Sequence, residues 1–460
     1  MKSRYLFSSL VILVTLCFFS ACKVGKAYVK PQMDLPQWQD STQQVADSSS
    51  LAYVEWWNIY SDTLLQSLIK TTLDNNKDML VAAARIEELA ALKRVDFSEL
   101  FPKLDGQVYT ELEATDYGGK GFVYDWEPGV KLLATWELDV WGNLRWANEK
   151  SKAELLGSIE DRRNLQISLI AQVAQAYFEL MALDSELRIV NQTLNARQEG
   201  VRLAKVRFEG GLTSETSYQQ AQLELARTAT LIPDLKGKIT KKENEIALLA
   251  GEFPHEIQRA SMENQIFLPE GLPVGLSSEL LERRPDVRAA EQSLIAANAA
   301  VGVAYTNMFP KIALTGHFGL ESNEFVNFIR SPYGYFLGNL ITPLFEMGKN
   351  RAMWKAKKAA YEQSRHLYEK QVLVAFKETY DAIVDYNNSQ EIYESRLKLE
   401  QSAYTTMNLA SLQYINGYIN YLDVLDAQRT YFDAQLSLNN AILGKQLALI
   451  KLYKALGGGW

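Results

Sequence analysis

The chain has 460 residues, 47% hydrophobic and 22% charged, enough to bury a large core and ordinarily to divide into two or three domains. Its formal net charge of −7 gives no electrostatic footprint for nucleic acid. The 2 cysteines, Cys17 and Cys22, provide no disulfide framework and no pattern of thiol chemistry.

In chain order, the first element is an export leader. MKSRYLFSSLVILVTLCFFSAC places Lys2 and Arg4 before an apolar run that ends in the small residues Ser20 and Ala21. The alternative, an uncleaved membrane anchor, is set against it because the run matches only the shortest spanning helices. The cysteine at the cut resembles a bacterial lipobox. That resemblance implies that residues 1–21 are a signal peptide and that Cys22 becomes the acylated first residue of the mature chain. Loss of Lys2 and Arg4 then takes the formal charge from −7 to −9.

Prolines partition the remainder of the chain. None occurs between Pro128 and Pro233, and none after Pro343, so two long stretches lack the strongest helix breaker. Lys349 to Asn416 contains neither Gly nor Pro over 68 residues, which predicts a helix about 100 Å long. Such a rod needs lateral partners. Leu169, Val173, Ala176, Leu180, Leu183, Leu187, Val190 and Leu194 alternate steps of four and three, and after Arg197 the series resumes at Val201, Ala204 and Phe208. The last helix keeps the same register at Leu422, Leu425, Phe432, Leu436, Leu443, Ile450 and Tyr453, with Arg429, Asn439 and Gln446 as polar interruptions. Residues 372–410 read as helix without a legible seam.

The chain also repeats itself. Phe101-Pro102-Lys103-Leu104 recurs as Phe309-Pro310-Lys311-Ile312, an offset of 208. Gly142-Asn143-Leu144-Arg145 recurs as Gly348-Lys349-Asn350-Arg351, and Gly210-Gly211 as Asn416-Gly417, both at an offset of 206. Each copy reads as a shorter helix, about forty residues of strand, a long helix, a glycine turn and a return helix.

The strand regions alternate with period two. Val130, Leu132, Ala134, Trp136, Leu138 and Val140 are apolar, and Lys131, Thr135, Glu137 and Asp139 fall between them. Ile312, Leu314, Gly316, Phe318 and Leu320 repeat the pattern against Lys311, Thr315, His317 and Glu321; Gln107 to Ala114 also alternates, while Phe336 to Phe345 is less regular and contains Pro343. DYGGKGFVYDWEPG and ESNEFVNFIRSPYG read as hairpin tips. Strands of about ten residues suit a tilted membrane crossing, but four cannot close a barrel, for which about eight is the lower limit. An open edge in lipid leaves backbone groups unpaired. The sequence therefore predicts oligomerisation, with three copies giving twelve strands.

Leu280-Leu281-Glu282-Arg283-Arg284-Pro285-Asp286-Val287-Arg288-Ala289-Ala290-Glu291 and Tyr421-Leu422-Asp423-Val424-Leu425-Asp426-Ala427-Gln428-Arg429 resemble two motifs of the TolC family of outer-membrane efflux proteins, in its lipoprotein branch of OprM and NodT type. The resemblance runs from about Trp56 to Leu456. By itself, Pro285 with Asp286 is a well-formed helix start. The family implies a homotrimer with a twelve-stranded β-barrel in outer-membrane lipid, a periplasmic α-barrel of long helical hairpins, and an equatorial belt. On this reading, residues 22–60 form a lipidated N-terminal segment and 61–252 the first repeat, with its strand hairpin at 104–141. Residues 253–276 are an equatorial linker, 277–456 the second repeat with its hairpin at 311–346, and 457–460 a tail.

The resemblance also implies a function: the exit duct of a tripartite efflux system for small molecules such as drugs. Its partners are a periplasmic adaptor of the membrane-fusion type and an inner-membrane transporter, proton-driven and of the RND type. The alternatives are an exit for type I protein secretion and a non-conducting, lipid-anchored coiled-coil scaffold. The turns at Gly210, Gly211, Asn416 and Gly417 are the expected adaptor contacts. Leu422, Asp423, Asp426 and Arg429 are the expected periplasmic gate, with Asp423 and Asp426 on one helical face and Arg429 as partner of Asp426. Many relatives carry Asp where this chain has Ser217, and some carry Arg where it has Ile419, so their inter-hairpin lock is absent or rebuilt here, for instance through Glu215. His255, His317 and His366 have no metal-ligand spacing, Gly118-Gly119-Lys120-Gly121 lacks a full phosphate loop, and neither a cofactor nor an enzyme is expected.

Overall fold

The computed structural model describes residues 23–34, 62–116, 118–260, 283–322 and 325–458. The leader, Cys22, most of the expected N-terminal segment and most of the expected linker lie outside the described residues. Helices α1 (Thr63–Asn75) and α2 (Lys77–Ser98) precede strands β1 (Lys103–Thr115) and β2 (Val123–Leu138), which are followed by α3 (Asn143–Glu209), α4 (Glu215–Ala229) and α5 (Leu231–Leu249). Then come α6 (Pro285–Thr306), β3 (Lys311–Glu321), a 3-10 turn (Phe325–Arg330), β4 (Pro332–Ile341), α7 (Lys349–Ile415) and α8 (Tyr421–Ala455). The chain divides into two units, one of Met1–Asp34, Ala84–Ile159 and Ala289–Lys370, the other of Leu35–Ala83, Glu160–Arg288 and Gln371–Trp460.

The first unit holds one antiparallel sheet in the order β1-β2-β3-β4. Its register gathers the alternating residues into two faces. Val108 opposes Val130 and Val130 opposes Leu320; Gly106 opposes Leu132, Leu132 opposes Phe318, and Gly316 opposes Phe336, all on an apolar face. The other face carries Lys131, Thr135, Thr315, His317 and Glu321. There Tyr109 lies over Gly129, where a Cβ would collide with its ring, and its hydroxyl bonds Glu321 and stands 2.8 Å from that of Tyr333. His317 stacks on Tyr335.

Two boundaries differ from the sequence expectation. β2 starts at Val123, inside the expected tip, and β4 spans Pro332–Ile341 rather than running on past Pro343. Proline has no N–H for a ladder, so it opens β4 at residue 332 and at 343 falls beyond its end.

The segment after Cys22 is fastened in the same unit. Val24 N–H donates to the Trp141 carbonyl at 3.0 Å, and the buried Trp146 indole donates back to the Val24 carbonyl at 2.8 Å. The Lys23 ammonium lies 3.2 Å above that ring. Gly302 on α6 is required opposite, because a Cβ there would enter the Trp146 ring.

In the second unit, the predicted α3 seam is buried from Leu169 to Leu180 and at Val190 and Ala204, half-buried at Leu183, Leu187, Leu194 and Val201, and exposed at Phe208. Val173, Tyr177 and Phe178 pack with Leu65 and Ile69 of α1 and Leu449, Leu452 and Tyr453 of α8, while Ala176 and Leu180 pack on Ile239 and Ile246 of α5. The Tyr177 hydroxyl donates to Asp62, the α1 cap, at 2.6 Å. Of the polar interruptions in α8, Asn439 and Gln446 are buried, and Asn439 donates to the Ala182 carbonyl at 3.0 Å.

A paired clasp ends the two return segments. Asn76, which caps α2, donates its side-chain amide to the Leu249 carbonyl at the end of α5, at 2.9 Å. Arg284, just before α6, donates to the Ala455 carbonyl at the end of α8, at 3.0 Å, and is neutralised by Asp286 and Glu378, each at 2.6 Å. The physical content of Arg284-Pro285-Asp286 is therefore a buried cation that closes a helix end. Among the described residues, no helix is long and apolar enough to cross a membrane.

Candidate functional site

The candidate site is the pair of helical turns in the second unit. α3 ends in a Schellman turn: Leu212 N–H reaches the Arg207 carbonyl at 2.8 Å, Gly211 N–H reaches Phe208 at 2.9 Å, and Gly211 is left-handed at φ 72°. α7 ends the same way, with Tyr418 bonded to Gln413 and Gly417 at φ 82°. A Cβ at Gly211 or Gly417 would meet nothing within 4 Å, so glycine is needed for backbone sign and not for space.

Beneath the turns lies a small core of Ala204, Ala221, Tyr414, Tyr421, Val424 and Leu425. It joins the two hairpins, and Arg207 of α3 stacks its guanidinium 4.6 Å from the Tyr414 ring of α7. The Tyr421 hydroxyl fits because position 200 is Gly, where a Cβ would lie 3.1 Å from it. Burial pushes the Tyr421 hydroxyl up to about 12, with Tyr414 adding to the effect.

Val424 and Leu425 point into this core, which leaves Leu422, Asp423 and Asp426 exposed along α8. Asp423 is also engaged locally, where its carboxylate accepts the Asn420 N–H at 3.0 Å in a capping box. Asp426 is not the hydrogen-bonded partner of Arg429. The Arg429 guanidinium instead donates to Glu224 of α4 at 2.6 Å, and Asp426 acts on it only through space.

Glu224 is the residue that sequence reasoning missed. It is buried and takes a second cation, Arg197 of α3, at 3.0 Å. The same Arg197 guanidinium donates to the Glu224 carbonyl at 2.8 Å and to Thr228 Oγ1. Burial opposes ionisation of Glu224, but the hydrogen bond from Arg429 and the charge of Arg197 win and hold its carboxyl below the ordinary range. A signal was present in the sequence, since Arg197 and Arg429 both occupy seam positions of heptad series that call for apolar residues. Neither Ser217 nor Glu215 is placed in this network.

A four-stranded sheet with one apolar face and two helices of 67 residues, each ending in a tight glycine turn, are the elements the chain presents. Comparison with known proteins gives the particular family. A family profile, outer membrane efflux protein, matches residues 68–252 and 276–458. The cation efflux system protein CusC of Escherichia coli O157:H7 is 28% identical over 96% of this chain and 96% of its own. The probable efflux pump outer membrane protein TtgC of Pseudomonas putida is 30% identical over 98% of this chain and 96% of its own. The structure of the outer-membrane channel OprN superposes with a TM-score of 0.90 at 28% identity, over 95% of this chain and 100% of that one. The chain belongs to the outer membrane efflux protein family, and it is a protein of the cell outer membrane.

Proposed function

We propose that three copies of the chain close a twelve-stranded barrel and serve as the exit duct of a tripartite efflux system for small molecules such as drugs. The observation that carries this reading is the sheet. Its apolar face exposes Val108, Leu132, Phe318 and Phe336, its opposite face is polar, and β1 and β4 are left as edges. In hydrocarbon those edges must pair, and a second and third copy supply the partners. Leu373, Tyr380, Ile392 and Leu399 on α7 are exposed in one chain and suit helix packing around the same axis.

The internal repeat is part of the proposal, with first and second repeats at 61–252 and 277–456. α2 and α6 share an offset of 208 at both ends, α3 and α7 share 206, and Glu215–Leu249 stands to Tyr421–Ala455 at 206. The clasp donors Asn76 and Arg284 fall at equivalent positions, as do their acceptors Leu249 and Ala455.

Acylated Cys22 anchors the mature chain in outer-membrane lipid, and the fastening of Lys23 and Val24 fixes where the acyl chains leave the protein. The turns at Gly210, Gly211, Asn416 and Gly417 meet a periplasmic adaptor, through which a proton-driven inner-membrane transporter delivers substrate. Leu422, Asp423 and Asp426 from three copies form an apolar ring and acidic rings that favour cations at the constriction. Conductance across planar bilayers tests this function. Asp423→Ala with Asp426→Ala is expected to raise it, and absence of conductance in both wild type and variant favours a scaffold.

A further inference from the structure

We infer that Tyr109 and Tyr333 form a tie across the polar face of the sheet, which sets the curvature of one copy and thereby restricts closure to three. The copy-number half of this inference rests on the barrel reading; the tie itself stands without it.

A four-stranded sheet encloses nothing on its own. Along β1 and β4 no residue is buried, and along β2 and β3 only Gly129 and Gly319 are. The covered positions of an otherwise open surface are therefore two glycines. Tyr109, the direct partner of Gly129 on β1, covers the first, with its ring where a Cβ of residue 129 would stand. Gly319 is paired with Tyr333 of β4 and Lys131 of β2, and a Cβ there would press on Lys131 and the Val130 carbonyl. No side chain at 129 or 319 blocks the path between the two edge strands.

The tyrosines use that path. Tyr109 gives its one hydroxyl proton to Glu321 on β3, so the 2.8 Å contact between the two hydroxyls is a bond donated by Tyr333. Lys131 Nζ lies 4.3 Å from the Tyr109 ring, and His317 meets the Tyr333 ring edge-on at 5.5 Å. The bond joins side chains of the first and last strands, whose backbones lie three strand spacings, about 14 Å, apart. A link on one face alone holds the sheet concave on that face.

The second hairpin shows what happens without the glycine. At offsets of 208 and 206, the pair Tyr109–Gly129 becomes His317–Tyr335, two rings stacked at 4.8 Å. His317 cannot pass over the neighbouring strand because Tyr335 fills that place. The tie therefore belongs to one row of the sheet, and it joins the two strands that meet other copies. A twelve-stranded barrel needs each copy to subtend a third of the circumference, and a flatter copy leaves the ring open or admits more chains.

Full-length protein purified from membranes, unfolded and returned to detergent tests the tie through two readouts. Native mass spectrometry counts copies, and spin labels at Lys103→Cys and Leu337→Cys, on one row of the polar face, report curvature in chains diluted with unlabelled protein. Tyr109→Phe, which adds no bulk and so protects folding, is expected to lower the fraction closing as three about tenfold, the order expected for lost hydrogen bonds. It should also widen the label separation by about 3 Å or more, because inward-facing groups spread as an arc flattens. Tyr333→Phe keeps the bond to Glu321 and should do less, while Asn339→Ala, on the same face outside the tie, should change neither. Gly129→Ala is expected to match Tyr109→Phe, and joining it to Tyr109→Ala removes the collision without restoring the tie. Recovery of closure in that double variant overturns the proposal, as does Tyr109→Phe with both readouts unchanged. A widened separation with an unchanged trimer fraction overturns control of copy number. Wild type that never closes as three overturns the barrel reading, while the label separation still decides the tie.

Discussion

The two return segments, Glu215–Leu249 and α8, cover the same number of positions and end on the same kind of clasp, yet they are built from opposite materials. The first is broken at Thr230 and closed by a neutral amide, Asn76, whereas the second is continuous and closed by a buried cation, Arg284. An amide satisfies a helix-end carbonyl at little cost, because it carries no charge to desolvate. Arg284 does more, reaching Ala455, Ala375, Asp286 and Glu378 from one guanidinium, but it depends on its two counterions. Equal backbone geometry thus allows unequal stability along the chain, and here the firmer hold falls on the helix that carries Asp423 and Asp426.

Substitution at the clasps separates the two segments most strongly. Arg284→Ala strands Asp286 beside Glu378 and is expected to cost about 3–5 kcal/mol, against about 1–2 kcal/mol for Asn76→Ala. Denaturant titration of the two variants reads the gap directly, and equal midpoints would refute it. Next, Asn439→Pro imposes the first segment's break on α8 and removes the bond to Ala182, at about 3 kcal/mol or more. Circular dichroism would register the lost helix. A smaller contrast lies just beyond the clasps. Gly251 and Gly457 are both left-handed, but a Cβ at Gly251 would press on the Asn75 carbonyl at 2.5 Å, whereas at Gly457 it would stand 3.4 Å from Arg284. Gly251→Ala should therefore lower the melting temperature more than Gly457→Ala, whose cost is strain alone, about 1 kcal/mol.

The smallest effect is that of pH. Burial disfavours the ionised forms of Asp286 and Glu224, yet Arg284 on the one and Arg429 with Arg197 on the other outweigh it and hold both carboxyls low. Stability from a depressed carboxyl is present above its unfolded value and is lost as pH falls through the folded one, so both sites weaken only below about pH 4. Melting scans against pH should show an acid limb that Asp286→Asn flattens, and a limb unchanged by that substitution would contradict the assignment.

Much of this was legible in the sequence, because its periods are long and regular. In the series from Leu169 to Val190, Leu169, Val173, Ala176, Leu180 and Val190 are buried and Leu183 and Leu187 half-buried, and the alternation at Val130–Leu138 and Ile312–Leu320 sorts into two faces. The seam of α7 was not legible, for a physical reason. Its buried positions include Val372, Ala375, Thr379, Ala382, Tyr386 and Ser389, which alternate steps of three and four, and then Ala403, Ala410 and Tyr414 in the same heptad register, but most of them are small, polar or aromatic. The large apolar residues Leu373, Val384, Leu399 and Leu412 face outward in a single chain, so a hydrophobic pattern points to the wrong side. In the candidate site, the glycine turns and the shared face of Asp423 and Asp426 could be read from spacing, whereas spacing put Leu422 in the packed seam and the single chain leaves it exposed. The pairing of Arg429 could not, because Glu224 lies 205 residues away and periodicity carries no information on which helix supplies a counterion.

The proposed duct stands or falls with three chains sharing one barrel, and native mass spectrometry of protein extracted from outer membranes reads that number outright. A single assembly of three copies is expected, each with the added mass of acyl chains at its N-terminus. A stable population of solitary chains, or pairs in place of trios, would contradict it.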